Sequence, residues 1–156
     1  MARHAEPDNL HASSPRFLIP KPEPRVTFMI ASRQALPSTR ESLTHKFSVA
    51  NIEGYLTIGL YEDGKPGEIF IKISKEGSAI SGFCQAFCRA FSISLQHGLT
   101  VSDAVTRFKG MRFEPYGQTS NPDIPEASSI IDYLARFLEL HYAQTTPMGT
   151  TGRISG

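Results

Sequence analysis

The alternation of apolar and polar residues between positions 44 and 74 is the feature that most restricts the fold of this 156-residue chain. It occurs in three successive segments, residues 44–49, 55–61 and 68–74. A period of two is typical of strands that bury one face. The two intervening segments contain Asn, Asp, Gly and Pro residues that favour turns, so the sequence predicts a three-stranded antiparallel meander.

Amphipathic helices follow the strands. Apolar residues at helical spacing predict a first helix over residues 78–96, and Thr100 with Asp103 predicts the capped start of a second helix. Asp123, followed by a proline in the first turn, predicts a third helix that reaches about residue 142. The apolar stripes comprise Ile80, Phe83, Cys84, Phe87, Cys88, Phe91, Leu95, Ala127, Ile130, Ile131, Leu134, Phe137, Leu138 and His141. We therefore expect an α+β fold with three helices packed on one face of the sheet.

The ends of the chain have a different composition from its middle. Residues 1–35 are polar and rich in proline, and we expect them to form a flexible tail, as we do residues 143–156. Residues 36–142 are predicted to form one domain. Within the first tail, residues 26–30 are β-prone, which predicts either an extra edge strand or a segment that docks on a partner.

Composition excludes several classes of function. The formal net charge is +1, so there is no overall basic field to attract nucleic acid. No apolar run approaches the roughly 18–20 residues of a membrane span. The N-terminal residues also lack the apolar stretch of a signal peptide. We therefore expect a cytoplasmic chain with no membrane partner.

The residues that most often carry catalysis or bind metals are not arranged to do so. Cys84 and Cys88 lie on the apolar stripe of the first predicted helix, where a cysteine behaves as a small buried hydrophobe. A redox or metal site would need exposed thiols of low pKa. The five histidines lack the spacing of a metal site, and His141 is expected to pack in the core. We predict no catalytic residue and no metal site.

The outer face of the predicted sheet carries candidate binding residues, Tyr55, Phe70 and Lys72. Aromatic side chains beside lysine on an open sheet stack bases in proteins that bind single-stranded nucleic acid. Exposed aromatic patches also mark protein interfaces. The strands do not match an RNP signature, which favours a protein interface over nucleic acid.

Two further segments contain polar residues suited to a small ligand. Lys75 and Ser78 stand at the start of the first predicted helix, where backbone N–H groups favour phosphate. The segment lacks the glycine spacing of a P-loop, and the alternative is a simple connection capped by Ser78. Arg112, Asn121 and Asp123 lie in a long loop, where they either line a site or only make local turns, caps and pairs.

Several short segments resemble, in order and spacing, the C-terminal TSCPD-type domain of adenosylcobalamin-dependent (class II) ribonucleotide reductases. The segments are SLTHKF (42–47), EGY (53–55), GLYEDG (59–64), PGEIFI (66–71), SKEGS (74–78), ISG (80–82), RFEP (112–115), NPDIP (121–125) and DY (132–133). The resemblance covers residues 36–142. In the pentapeptide that names the domain, Asn121 stands in place of the cysteine, so that position carries no thiol.

The resemblance implies a role in ribonucleotide reduction and in deoxynucleotide supply for DNA synthesis. The related full-length enzymes use adenosylcobalamin and a radical cysteine inside a ten-stranded barrel, parts that 156 residues do not accommodate. We therefore expect a stand-alone accessory or regulatory module that is not catalytic alone and binds no cofactor itself. It would dock on a larger ribonucleotide reductase polypeptide through the outer sheet face and the N-terminal tail. The residues leave two alternatives: a nucleotide or small-ligand site at Lys75, Ser78, Arg112 and Asn121, and single-stranded nucleic-acid binding at Tyr55 and Phe70.

Overall fold

A computed structural model of the protein describes residues 32–143. In chain order the elements are β1 (Ser42–Val49), β2 (Ile52–Leu60), β3 (Pro66–Ile73), α1 (Ala79–Gln96), α2 (Val101–Phe108), β4 (Gly117–Gln118), β5 (Glu126–Ala127) and α3 (Ile130–Tyr142). The predicted α+β fold is confirmed. The β-prone residues 26–30 and most of both predicted tails lie outside the described residues. No helix within the described range has the length and apolar character needed to cross a membrane.

The three long strands form the predicted meander. They pair in the order β1-β2-β3, each antiparallel to the next. The loop between β2 and β3 is closed by Asp63, whose carboxylate accepts the N–H of Lys65 at 3.1 Å. Gly64 in the same loop has φ of 78°, a backbone conformation that residues other than glycine rarely adopt. The turn residues seen in the sequence therefore fix the register of the sheet.

The helices lie against one face of this sheet. Tyr133 of α3 stacks on Phe47 of β1, with ring centroids 5.1 Å apart. Phe108 of α2 meets Phe87 and Phe91 of α1 edge-on, at 5.3 and 5.7 Å. These contacts close one continuous core, and the side chains on the opposite sheet face remain mostly exposed among the described residues.

Helix α1 also lies along the outer edge of β3, where it makes the hydrogen bonds that a fourth strand would have made. Ser92 Oγ accepts the N–H of Ile69 at 2.9 Å. Four residues later, Gln96 Nε2 donates to the carbonyl of Gly67 at 3.0 Å. Buried backbone groups of an edge strand need such partners, and here the helix supplies them.

Matching axial spacing explains why a helix suits this edge. Side chains four residues apart on a helix are about 6 Å apart along its axis, close to the roughly 6.6–6.8 Å between alternate residues of a strand. Three helix residues at this spacing therefore lie beside every second residue of β3: Cys88 beside Ile71, Ser92 beside Ile69 and Gln96 beside Gly67. The backbone of Ile71 hydrogen-bonds the sulfur of Cys88, one step before the Ser92 contact.

The predicted start of the third helix is wrong. α3 begins at Ile130, and its N-cap is Ser129, whose Oγ accepts the N–H of Asp132 at 2.9 Å. Asp123 lies instead in a turn, where its N–H donates to the side chain of Asn121 at 3.0 Å. A residue that precedes proline avoids helical dihedrals, so Ile124 resists continuing a helix from Asp123. The residues that follow, Glu126–Ala127, form β5, which pairs with the earlier β4 as a short antiparallel hairpin.

Two members of the predicted apolar stripes are not in the core. Phe83 is 73 % exposed, because α1 turns a partly polar side that includes Ser92 and Gln96 toward the sheet edge. His141 is also exposed, although its ring centroid lies 4.3 Å from that of Phe137.

Candidate functional site

The open face of the sheet brings three predicted binding residues together. The cross-strand register places Lys46, Tyr55 and Lys72 side by side in one row. Phe70 lies in the adjacent row, opposite Thr57. Tyr55 is 50 % and Phe70 52 % exposed. The face therefore presents two aromatic rings at diagonal positions, with a lysine on either side of the tyrosine.

Both lysines of this face are held by neighbouring carboxylates. Lys72 Nζ lies 2.9 Å from a carboxylate oxygen of Glu76, and Lys46 Nζ lies 3.5 Å from one of Glu53. The hydrogen bond between Lys72 and Glu76 raises the pKa of the lysine and lowers that of the glutamate. Such exposed pairs add little stability, but they cancel the positive charge of the face. A surface of this kind suits a protein partner better than a polyanion.

The predicted loop residues do not form one site. Arg112 and Asp123 line an open groove of about 460 Å³, together with Arg136 and Glu139. The guanidinium carbon of Arg112 lies 4.4 Å from the centroid of the Tyr116 ring, within the range of a cation–π contact. The groove therefore mixes both signs of charge, which gives no preference for an anion such as a nucleotide phosphate.

Asn121 is used by the fold. It is buried, its Oδ1 makes the turn with Asp123, and its Nδ2 donates to the hydroxyl of Tyr133 at 3.2 Å. The phenol in turn lies 2.8 Å from Nε2 of His45. Since the amide already donates to the phenol, the phenol hydrogen is best placed toward a neutral His45. Burial, and to a lesser extent the nearby His141, lower the pKa of His45.

This hydrogen-bonded chain was not predicted from the sequence. Its members come from β1, the loop before α3 and α3 itself. The available signal was the presence of polar residues among apolar neighbours, such as His45 beside Phe47. The interpretation of Asn121 as a turn-forming residue is confirmed, and its amide is not available to a ligand.

Lys75 and Ser78 do not join the loop residues in a pocket. Ser78 caps α1 as predicted, because its Oγ accepts the N–H of Ser81 at 3.3 Å. The same hydroxyl donates to the carbonyl of Lys75 at 2.6 Å. Neither residue lines the groove that contains Arg112. The nucleotide site predicted at these positions is therefore not assembled among the described residues.

The two cysteines belong to the core, as predicted. Both are buried and neither forms a disulfide. Burial raises the pKa of Cys84 to about 11 and that of Cys88 to about 12. Thiols held neutral in this way are poor nucleophiles and poor metal ligands. Over residues 32–143, no three His, Cys, Asp or Glu side chains are grouped so that they could hold a metal ion.

Comparisons with known proteins give a consistent result. The family model described as TSCPD domain matches residues 26–142. Vitamin B12-dependent ribonucleotide reductases of Rhodopirellula baltica, Streptomyces avermitilis and Bradyrhizobium diazoefficiens are 53, 44 and 39 % identical over 110, 110 and 115 residues. These alignments cover 70, 70 and 73 % of this chain but only 11, 11 and 9 % of the relatives, so the chain corresponds to a small part of each. No solved structure matches the chain.

Proposed function

Because this chain belongs to the TSCPD domain family, we propose that it acts as an accessory or regulatory module for ribonucleotide reduction and so for deoxynucleotide supply. The family membership confirms the resemblance seen in the short segments of the sequence. The observation that carries the proposal is the 53 % identity over 110 residues to a vitamin B12-dependent ribonucleotide reductase.

We propose that the chemistry is carried out by a larger polypeptide to which this module docks. The described cysteines are buried and of high pKa, which does not suit radical or disulfide chemistry. Two open grooves lie within residues 32–143, one of about 460 Å³ that includes Arg112 and one of about 280 Å³ between β3 and α1, and pockets of that size take ligands much smaller than a corrin with its nucleotide loop. Neither groove therefore fits adenosylcobalamin, and we assign the described residues no step that involves it.

The docking surface that we propose is the open face of the sheet. Tyr55 and Phe70 are half exposed there, and large aromatic side chains are the usual anchors of protein interfaces. The pairing of Lys46 and Lys72 with carboxylates removes the positive charge that nucleic-acid binding would require. These observations support a protein partner.

Binding to a reductase polypeptide tests the proposal. The partner is a vitamin B12-dependent ribonucleotide reductase from which the segment matching this chain has been removed, and its affinity for this chain is measured by titration calorimetry. We expect saturable binding that the double change Tyr55→Ala and Phe70→Ala weakens by about tenfold or more. Tyr116→Ala is the control, since that ring is 45 % exposed in the loop before β4 and does not belong to the β1–β2–β3 sheet.

Two results would contradict the proposal. One is absence of binding together with no effect of the chain on ribonucleotide turnover by the truncated reductase. The other is tight binding of single-stranded oligonucleotides with a steep dependence on salt, which would assign the aromatic face to nucleic acid. Stabilisation by nucleotides in a thermal-shift assay would likewise favour the small-ligand alternative.

A further inference from the structure

A second surface adjoins the open sheet face. It is a groove of about 280 Å³ between β3 and α1. Phe70 lines it from the strand and Ile93 from the helix, and these side chains are 52 and 43 % exposed. Large apolar side chains that face each other across a groove favour an apolar occupant. Phe70 belongs to both surfaces, so the groove continues the proposed docking face.

The groove is also cationic. Arg33 and Arg89 line it, and among residues 32–143 neither has a carboxylate within ion-pair distance. Glu68 is the acidic residue of the lining, and it is already paired with Arg40. Arg33 is fixed in place, because its Nε donates to Gln96 Oε1 at 2.7 Å. An occupant that brings carboxylates would therefore find two arginines unpaired within the described residues.

The floor of the groove limits how an occupant binds. Where the backbone of β3 would otherwise pair with an added strand, Ser92 holds the N–H of Ile69 and Gln96 holds the carbonyl of Gly67. Peptide recognition by strand addition needs those groups to be unpaired. An occupant must therefore be recognised through its side chains.

We propose that this groove binds an acidic segment of the partner polypeptide in which an apolar residue is flanked by carboxylates. The apolar residue packs between Phe70 and Ile93, and the carboxylates pair with Arg33 and Arg89. The proposal rests on the proposed function, since it names the chemistry of the segment by which the larger polypeptide docks. Burial of an apolar anchor beside charge-assisted hydrogen bonds gives both affinity and direction to the contact.

Synthetic peptides test this chemistry on the full chain. The probe is a fluorescein-labelled peptide with one leucine between glutamates, compared with a peptide that has lysines for the glutamates and one that has serine for the leucine. We expect only the peptide with leucine between glutamates to bind, measured as a rise in fluorescence anisotropy. Arg89→Glu and Ile93→Ser should each weaken that binding by about tenfold or more, and Arg89→Glu should improve binding of the lysine peptide. Arg107→Glu, an exposed arginine on α2, is the control and should change nothing.

Several outcomes would overturn the inference. One is equal binding of the glutamate and lysine peptides. Another is glutamate-peptide binding that Arg89→Glu and Ile93→Ser do not change, in variants whose circular dichroism is unaltered. A third is a dimer of this chain that Ile93→Ser dissociates.

Binding to the truncated reductase separates this inference from the proposed function. If the truncated reductase binds both groove variants as well as the unaltered chain, only the groove assignment fails. If it does not bind but the glutamate peptide does, the groove assignment stands and the reductase role fails.

Discussion

At the scale of single residues, Asp132 joins the start of α3 to two preceding loop segments. Its buried carboxylate accepts the N–H groups of Gly110 at 2.6 Å and Ser128 at 2.8 Å, and Arg136 Nε lies 3.0 and 2.9 Å from its oxygens. Asp132→Asn removes the charge and one acceptor while keeping the shape. We expect the free energy of unfolding to fall by about 2–4 kcal/mol, measured by urea denaturation.

An exposed aspartate provides the control for this change. The carboxylate of Asp103 accepts a hydrogen bond from the hydroxyl of Thr100 at 2.7 Å at the start of α2, so Asp103→Asn should cost less than about 1 kcal/mol.

The stabilisation by Asp132 also depends on pH. Burial raises the pKa of Asp132, but its backbone hydrogen bonds and Arg136 outweigh burial and hold that pKa below 3.8. The stabilisation is therefore present above that pH and is lost as pH falls through the folded-state pKa. Equal losses in the two variants at neutral pH would contradict this role.

His45 gives a second prediction, for a loss of stability that begins at higher pH than that of Asp132. Its pKa is lowered from 6.5 by burial and by His141, so the folded state favours the neutral ring that accepts from Tyr133. The unfolded chain then binds a proton first, and the stabilisation that is complete above pH 6.5 declines as pH falls below it. We expect a histidine titration midpoint below 6.5 by NMR for His45. His45→Gln should flatten the pH dependence of the unfolding free energy, and an unchanged dependence would contradict the assignment.

At the scale of elements, two serine substitutions on α1 distinguish the stabilisation due to its contact with the edge of β3 from the effect of the substitution on helix propensity. Ser92 Oγ bonds the N–H of Ile69, whereas Ser94, two residues later, bonds only the carbonyl of Ala90 on the exposed side. Ser92→Ala leaves a buried N–H unpaired and should cost about 1–3 kcal/mol. Ser94→Ala should be neutral or slightly stabilising, because alanine favours helix. Amide hydrogen exchange at Ile69 measures the local effect, and equal exchange in both variants would contradict the contact.

The same elements show how far the sequence could predict the fold. The strands were predictable because their alternation and turn residues act locally, and Ser78 and Thr100 were recognisable as caps for the same reason. The start of α3 was not, because Asp123 has the residue type of a cap but the following proline restricts Ile124. The contact of Ser92 with the edge of β3 depends on α1 packing beside that strand, which the residues around Ser92 do not indicate.

The candidate surfaces show a similar limit. The alternation within β2 and β3 was enough to place Tyr55 and Phe70 on one open face, and the structure confirms that placement. It did not predict that the lysines of that face would be paired. Glu76 is four residues from Lys72 but meets it because the chain turns after β3, and Glu53 meets Lys46 across the β1–β2 hairpin. The cationic groove joins Arg33 to Arg89, which are far apart in the chain. Such juxtapositions depend on tertiary packing.

At the scale of the whole molecule, the predicted domain boundary at residue 36 can be tested against the structure. The N–H of Gln34 donates to the carbonyl of Gln96 at 2.9 Å, and the hydroxyl of Tyr61 donates to the carbonyl of Gln34. Arg33 adds its bond to the side chain of Gln96. A fragment of residues 36–142 loses all three, whereas a fragment of residues 32–142 keeps them. We expect the shorter fragment to be less stable by about 1–3 kcal/mol, because Gln96, which is buried at the end of α1, loses its hydrogen bonds to residues 33 and 34.

Thermal unfolding of the two fragments measures this difference directly. For a domain of this size, each kcal/mol corresponds to a fall of about 4–8 °C in Tm, so the loss is well within reach of calorimetry. Gln34→Ala in the longer fragment is the control: the bonds of Gln34 use its backbone, so this change should leave Tm nearly unaffected. Gln96→Ala should lower Tm, since its side chain joins Arg33 to Gly67. Identical midpoints for the two fragments would show that the domain begins at residue 36, as the sequence predicts, and that the contacts of residues 33 and 34 contribute nothing to its stability.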